Sequence, residues 1–530
     1  MNYRVVLKLL GNVLKYEIFL LMIPFLVALY YGDGDALSFF ITMVLMLPIM
    51  IFLCKIRTDK EEIYAKEGFL TVGLAWILIS VVGALPFVIS GAIPSFIDAF
   101  FETSSGFTTT GASILTEIES LPRGILFWRS FTHWIGGMGF LIFILALIPS
   151  LSTNTIFLLK AESPGPNPGK IVPKIKETAK ILYMIYFIMT VIETILLMMA
   201  GLSLYDALIH ALGTAGTGGF SNMNSSVASF NNPAVEWIIT IFMLLFGVNF
   251  VLYFQMFKGD FKSVFKSEEL KYYILMVVVS IVLITINIID FNGGNIGLSI
   301  RESSFQVASV ITTTGYATTD FNLWPTFSKI ILTLLMFAGA MAGSTGGGIK
   351  TVRIVLILKA IKREIDKILH PKRIQRVKMD GKVVEEEVVS GVLLFIGSYI
   401  VISLIAIFIV ALDGFDLVTT TTSVIATISN IGPGFEMVGA TGNFAAFSPL
   451  SKIVLSFCML AGRLEIYPML ILFSPSIWRK KILIYKKITQ LWLCDFLCIK
   501  GSFSIFLWSH ICIFFKNSTV VTLIIEAHLQ

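Results

Sequence analysis

Four short runs of threonine, serine and glycine hold the residues of this 530-residue chain whose types could do chemistry together. The first is Ser104-Ser105-Gly106-Phe107-Thr108-Thr109-Thr110-Gly111 and the second Gly213-Thr214-Ala215-Gly216-Thr217-Gly218-Gly219-Phe220. The third is Val310-Ile311-Thr312-Thr313-Thr314-Gly315-Tyr316 and the fourth Ile425-Ala426-Thr427-Ile428-Ser429-Asn430-Ile431-Gly432-Pro433-Gly434. They carry no charged side chain, so their chemistry must come from neutral oxygens. Glycine reaches backbone angles that other residues avoid, which lets successive carbonyls point at one axis. Four such strands could replace the water shell of an alkali cation. The candidate ion-binding residues are Thr109, Thr110 and Gly111; Thr217 and Gly218; Thr314 and Gly315; and Asn430, Ile431 and Gly432. Anchored on Gly111, Gly218, Gly315 and Gly432, the runs recur at spacings of 107, 97 and 117 residues, a diverged internal repeat.

The elements that must position these runs follow from hydropathy. The chain is 56% hydrophobic and 14% charged, with a mean hydropathy of +0.86. Soluble domains carry about 25% charge, so this apolar surface must face lipid. Stretches long enough to cross a ~30 Å hydrocarbon layer recur from about residues 16–31 through to 453–473. The first has no small-residue cleavage site after it and reads as a retained helix rather than a signal peptide. Residues 55–66, 160–180, 258–271 and 350–382 hold four, five, four and eleven Lys or Arg, which assigns these loops to the cytoplasm. The Thr/Gly runs lie in the lysine-poor segments between, on the outer side. Each follows an apolar stretch of about 8 to 12 residues, too short to span, which should enter as a half-helix and turn back. Irregular backbone at that depth is tolerated where it lines a watery cavity. The half-helices would aim their partially negative C-terminal ends at a cation. The expected fold is an all-α polytopic membrane protein of four helix, re-entrant loop, helix repeats.

Other chemistries are weaker. The five cysteines form no CxxC pair. His133 and His210 have no partner at metal-ligand spacing and read as hydrogen-bonded structural residues. Asp98, Glu102, Glu117 and Glu119 lie on the outer side of the first repeat, either concentrating cations at the mouth or simply exposed. Glu193, inside an apolar helix, is a functional candidate or pairs with a neighbouring repeat. So much glycine in the Gly339–Gly348 stretch should break the second long helix of the third repeat. Its text superficially resembles a phosphate-binding loop, but Ile349 separates the last glycine from Lys350 and no strand precedes it. An enzyme would need convergent acid, base or metal-binding groups, and no such cluster stands out. A transporter for an organic solute would also use broken helices, usually in two related halves rather than four loops.

In order along the chain, Ser105-Gly106-Phe107-Thr108-Thr109-Thr110-Gly111-Ala112, His133-Trp134-Ile135-Gly136-Gly137-Met138-Gly139, Thr217-Gly218-Gly219-Phe220-Ser221, Thr312 to Tyr316, Ala342 to Lys350, Asn430 to Gly434 and Gly462-Arg463-Leu464-Glu465 resemble the Trk/Ktr/HKT superfamily of potassium transporters, specifically its Trk-type pore subunits. The match runs from the N-terminus to about residue 475. The resemblance implies potassium uptake through one pseudo-fourfold pore per chain in a homodimer. It implies potassium preference from glycine at all four filter positions, with potassium held at Thr110, Gly111, Thr217, Gly218, Thr314, Gly315, Ile431 and Gly432. It also implies an intramembrane gate of Gly343, Gly346, Gly347, Gly348 and Lys350, reached by Arg463. A sodium- or proton-coupled cation symporter is the alternative. The charged stretch 359–387 would dock a cytosolic nucleotide-binding regulatory subunit of TrkA type, or contact anionic lipid. No nucleic acid is expected, and nucleotide only through that partner. The expected divisions are two helices in 1–66, pore repeats in 67–160, 161–262, 263–382 and 383–475, and a tail, 476–530, that departs from the family pattern.

Overall fold

A computed structural model of the chain describes residues 2–57, 65–139, 175–372 and 375–475. The expected loop 160–180 lies mostly outside the described residues, as does the tail 476–530. The described helices lie in a unit ending at Ser474. The chain opens with an antiparallel pair, Tyr3–Tyr31 and Ala36–Cys54. Gly11 of the first abuts Leu53 and Cys54 of the second, where a side chain would not fit. Gly32, at φ 70°, ends the first helix by donating its N–H to the Ala28 carbonyl.

Four long apolar helices follow at intervals: Ala65–Ser90, Ile175–Met199, Glu268–Ile288 and Glu386–Val410. Each precedes a shorter helix, here called a pore helix: Phe96–Phe107, Leu204–Gly216, Ile296–Ile311 and Leu417–Ile428. The pore helices start alike. Side chains of Ser95, Ser203, Asn295 and Asp416 accept the N–H three residues on, at 3.4, 3.1, 3.0 and 2.9 Å. Each side chain takes up one of the N–H groups that a helix start leaves unpaired. At 1.5 Å per residue the pore helices reach roughly 18–24 Å, short of the ~30 Å hydrocarbon layer.

After each pore helix comes a loop and one more helix, and all four of these begin at proline: Arg123–Gly137 after Pro122, Pro233–Phe246, Thr326–Ala338 after Pro325, and Pro449–Arg463. All four also stop after 13 to 15 residues. The second turns by 90° into Phe250–Phe257. The third gives way to a loop, 339–350, before resuming as Thr351–Leu369. The fourth restarts as Tyr467–Leu472. Among the described residues six helices are therefore long and apolar enough to span, the N-terminal pair and the four long ones, with the bent pair a seventh.

Beside an apolar core that includes Trp76, Phe101, Trp128 and Leu332, burial departs from that of a soluble protein in two ways. Phe19, Leu26, Phe52, Ile286, Leu404 and Phe408 are exposed, while Ser104, Thr109, Ser303, Thr313, Thr419 and Thr427 are buried. Apolar side chains meet lipid and the polar ones gather around the interior loops. On the side of the 350–382 segment, a two-stranded hairpin pairs Lys378 with Val383 and Met379 with Lys382.

Candidate functional site

The pore helices end in the same turn. The N–H groups of Thr109, Thr217, Thr313 and Asn430 donate to carbonyls three residues back at 3.1, 2.9, 3.1 and 3.2 Å. One residue later, those of Thr110, Gly218, Thr314 and Ile431 donate five residues back at 2.8, 2.9, 2.8 and 2.9 Å. Thr109, Thr217, Thr313 and Asn430 sit at φ 55°, 54°, 60° and 57°, and two residues on Gly111, Gly219, Gly315 and Gly432 sit at φ 79°, 76°, 84° and 96°. Left-handed geometry is strained for a β-branched threonine and persists only where its surroundings over-determine it. Here the two backbone hydrogen bonds on either side hold it. Three threonines doing this at matching places mark a site rather than an ordinary turn.

The same geometry corrects the alignment of the second run. Gly219, not Gly218, takes the place of Gly111, Gly315 and Gly432, and Thr313 joins the residues singled out from sequence. The four left-handed glycines together line a cavity with Ser113, Phe220 and Phe444. They also close a ring. A Cβ on Gly111 would strike the Gly218 carbonyl, one on Gly219 the Thr314 carbonyl, one on Gly315 the Ile431 carbonyl, and one on Gly432 the Thr110 carbonyl at 2.6 Å. Each loop thus packs its glycine on the next loop's carbonyl, and the fourth returns to the first. Gly218 is glycine for another reason: a side chain there would strike the His133 ring, 2.6 Å from Cδ2. The residue two before each left-handed glycine was the signal in the sequence, Thr-Thr-Gly, Thr-Gly-Gly, Thr-Thr-Gly and Asn-Ile-Gly.

The helix Arg123–Gly137 forms a seam behind the first two loops. His133 Nδ1 is 2.8 Å from the Gly106 carbonyl, and Nε2 accepts from Phe220 N–H at 3.2 Å. A carbonyl can only accept and an amide only donate, so His133 is neutral with its proton on Nδ1. One helical turn earlier, Arg129 Nε donates to Glu102 Oε1 at 2.9 Å. His210 stands between the Asp206 carbonyl, 2.8 Å away, and the Ser221 hydroxyl, 3.0 Å away, a structural role like that expected of it. Tyr316 reaches back from the third loop to donate toward the His210 and Phe220 carbonyls at 3.2 and 3.3 Å. Asn430 Nδ2 lies within 2.9 Å of both Thr110 Oγ1 and the Met459 carbonyl.

The outer carboxylates divide. Glu102 is 1% exposed and paired to Arg129, so it does not face the mouth. Asp98 pairs with Lys452 at 2.6 Å, and Glu119 accepts from Asn224 N–H at 3.1 Å. Glu117 is exposed. Glu193 is fully buried beside Thr214 of the second pore helix. Among the described residues no cluster of His, Cys, Asp or Glu could hold a metal ion.

The glycine-rich loop lies directly under the ring. Gly347 N–H donates to Thr313 Oγ1 at 2.6 Å and Gly348 N–H to the Ser429 carbonyl at 2.9 Å. Its first arm is held by Met341 N–H on the Gly247 carbonyl at 3.1 Å and Ala342 N–H on Glu269 Oε1 at 2.7 Å. Arg463 donates to the Thr345 carbonyl at 2.8 Å and to the Gly136 and Gly137 carbonyls. Lys350 Nζ donates to the Gly346 carbonyl, and Arg353, one turn into the next helix, pairs with Glu465. The breaks in the first, third and fourth repeats therefore meet at one place. Gly137, Gly343, Gly346, Gly347, Gly348, Lys350 and Arg463 line a common cavity there.

Residues 37–480 match the TrkH family, described as cation transport protein. The Trk system potassium uptake protein TrkH of Salmonella typhimurium is 37% identical over 489 residues, 91% of this chain and 100% of its own length. The Trk system potassium uptake protein TrkG of Escherichia coli K12 is 33% identical over 494 residues, 90% of this chain and 99% of its own. The crystal structure of the potassium transporter TrkH from Vibrio parahaemolyticus superposes with a TM-score of 0.81 at 32% identity, covering 90% of this chain and all of that one.

Proposed function

Because the chain belongs to the TrkH family of cation transport proteins, we propose that it takes up potassium through a central pore whose filter is the ring of four loops. The family transports cations and is not a family of enzymes, so these residues are given binding and gating roles only. The observation that carries the reading is the repeated pair of left-handed residues, Thr or Asn and then Gly, closed into a ring by glycine against carbonyl.

In this reading a potassium ion sheds water into backbone oxygens of Thr109, Thr110 and Gly111; Thr217, Gly218 and Gly219; Thr313, Thr314 and Gly315; and Asn430, Ile431 and Gly432. The C-terminal ends of four pore helices add partial negative charge beneath it. The ring tolerates no side chain at the four glycines, which keeps the oxygen cage at one size. Below it, Gly343, Gly346, Gly347, Gly348, Lys350 and Arg463 close the path, and Gly347 on Thr313 makes filter and gate one hydrogen-bonded unit. The helix Thr351–Leu369 begins where the gate ends and leads to the 359–387 segment. A cytosolic nucleotide-binding subunit of TrkA type would pull the gate through it. The filter faces outward in the cytoplasmic membrane, and the chain works as a homodimer.

The test is potassium and rubidium uptake in cells lacking their own potassium systems, wild type against Gly315→Ser. Wild type is expected to restore uptake and the variant to lose preference for potassium over sodium, because the added side chain meets the Ile431 carbonyl and Pro433 Cδ, the latter at 2.8 Å. A membrane-inserted wild type that moves no alkali cation, even with a regulatory partner present, would refute the reading.

A further inference from the structure

Behind the first two filter loops lies a polar bracket that the ion path itself does not use. Glu102, in the first pore helix, is 1% exposed, and Arg129, in the helix Arg123–Gly137, is 2% exposed. Their ion pair closes at 2.9 Å. The carboxylate also accepts from the Ser113 hydroxyl at 2.9 Å and, through Oε2, from Ile114 N–H at 3.0 Å. The guanidinium donates through Nη1 to the Ser221 carbonyl at 3.1 Å and through Nη2 to the Ser113 hydroxyl at 3.2 Å. Its Cζ lies 4.1 Å from the Phe220 ring centroid. Ser113 and Ile114 are the residues by which the first loop leaves the ring after Gly111, and Phe220 and Ser221 those by which the second leaves after Gly219. One buried pair thus grips the exits of two neighbouring filter strands.

A lone arginine this close to a cation path would repel the cation, and a lone glutamate would trap it. Paired at contact distance, they carry no net charge, and their directional hydrogen bonds hold the two strands. A planar fork and a two-oxygen acceptor fix directions as well as distances, which a single hydroxyl or lysine could not do. The bracket is also confined to one side of the pore. The residue nine before the left-handed glycine is Glu102 in the first repeat and His210 in the second, and both reach the serine two after that glycine. In the third repeat the corresponding Gln306 is fully buried with no hydrogen-bond partner among the described residues, and Ala317 stands where the serine would be. In the fourth the two places are Ser423 and Gly434, and the Ser423 hydroxyl bonds its own helix at the Thr420 carbonyl.

We propose that Glu102 and Arg129 are positioning residues for cation selection, holding the outer ends of the first and second filter strands at the spacing that suits potassium. The proposal rests on the pore reading above. Rigid oxygens on one side of the cage resist contraction around a smaller ion, so sodium is refused the close coordination it needs.

The experiment measures potassium and sodium uptake in the same potassium-system-deficient cells, at matched membrane abundance, for wild type, Glu102→Gln/Arg129→Gln and Ser113→Ala. The double variant removes both charges together, because removing one would leave the other buried and unpaired and threaten folding. Its potassium-to-sodium ratio is expected to fall roughly tenfold, about 1.4 kcal/mol of discrimination, while potassium uptake persists. Ser113→Ala deletes only the hydroxyl that joins the pair to the strand, so it keeps the fold even if the double variant does not reach the membrane. Its ratio is expected to fall roughly threefold or more, because the hydroxyl joins Glu102, Arg129 Nη2 and Leu115 N–H, each bond worth about 0.5–1.5 kcal/mol net. A wild-type ratio in whichever of these variants inserts would overturn the bracket and leave the pore reading standing. A wild type that moves no cation would overturn both.

Discussion

Two adjacent glycines in the second loop of the ring should fail for different reasons when each is made alanine, and His133 is the residue that separates them. Gly219 is left-handed at φ 76°, and its added methyl would meet the Thr314 carbonyl. The backbone strain alone costs roughly 1–2 kcal/mol, and the carbonyl that must yield belongs to the ring. Gly218 has no such strain, but its methyl would meet the His133 ring, 2.6 Å from Cδ2. To make room, the imidazole must leave the Gly106 carbonyl and the Phe220 N–H. The Gly106 carbonyl keeps its bond from Thr109 N–H, but Phe220 N–H and the displaced imidazole N–H are left unsatisfied at about 1–3 kcal/mol each, so Gly218→Ala should lose roughly 2–6 kcal/mol. His133→Ala gives up the same two hydrogen bonds. The double variant Gly218→Ala/His133→Ala should therefore be little worse than His133→Ala alone, a coupling of about 2 kcal/mol or more, near the top of what neighbouring residues show. Gly219→Ala/His133→Ala should instead add. The assay is the unfolding midpoint of detergent-solubilised protein, read beside the potassium-to-sodium uptake ratio. Additive losses for Gly218 with His133, or rescue of Gly219→Ala by His133→Ala, would refute the assignment of Gly219 to the ring.

Arg463→Gln should raise uptake measured without any regulatory subunit, since the loop loses charged hydrogen bonds at the Thr345, Gly136 and Gly137 carbonyls. Counting only the bond to the loop's own Thr345 carbonyl, at about 1.5–3 kcal/mol, the closed state should weaken by roughly tenfold to a hundredfold, read as rubidium flux in vesicles. Glu269→Ala leaves Ala342 N–H without its acceptor at 2.7 Å. Hydrogen exchange over 339–350 should then quicken, by a local loss of about 1–3 kcal/mol, while exchange in the pore helices stays unchanged. Asp98→Asn breaks the Lys452 pair, in which the Asp98 side chain is 26% exposed. Lys452, its side chain 8% exposed, is then left buried without its carboxylate, a loss of up to about 3 kcal/mol that should lower the unfolding midpoint, while apparent potassium affinity should stay within roughly twofold because a carboxylate already paired adds little to the field at the mouth. A much larger fall would show that Asp98 gathers cations at the mouth.

Hydropathy and short-range text were sufficient for much of the molecule. The long apolar runs could only be helices in lipid, because a membrane interior offers no water to an unpaired backbone group. The four Thr/Gly runs were visible as a repeat, and the glycines of 339–348 announced a broken helix through backbone entropy alone. Three matters needed the folded chain. Gly218 and Gly219 are the same residue type side by side, and only the neighbours, His133 for one and Thr314 for the other, decide which belongs to the ring. Glu102 reads as an outer carboxylate until Arg129, 27 residues on, is brought against it in the interior. The glycine-rich loop 339–350 is held by Thr313 of its own repeat and by Ser429 and Arg463 of the next, up to 118 residues away. Local propensity and hydropathy act over a few neighbouring residues, so they write helices, caps and breaks into the sequence. Register between loops and the pairing of buried charges depend on contacts made across some 30 to 320 residues of chain, and those exist only once the four repeats have closed around one axis.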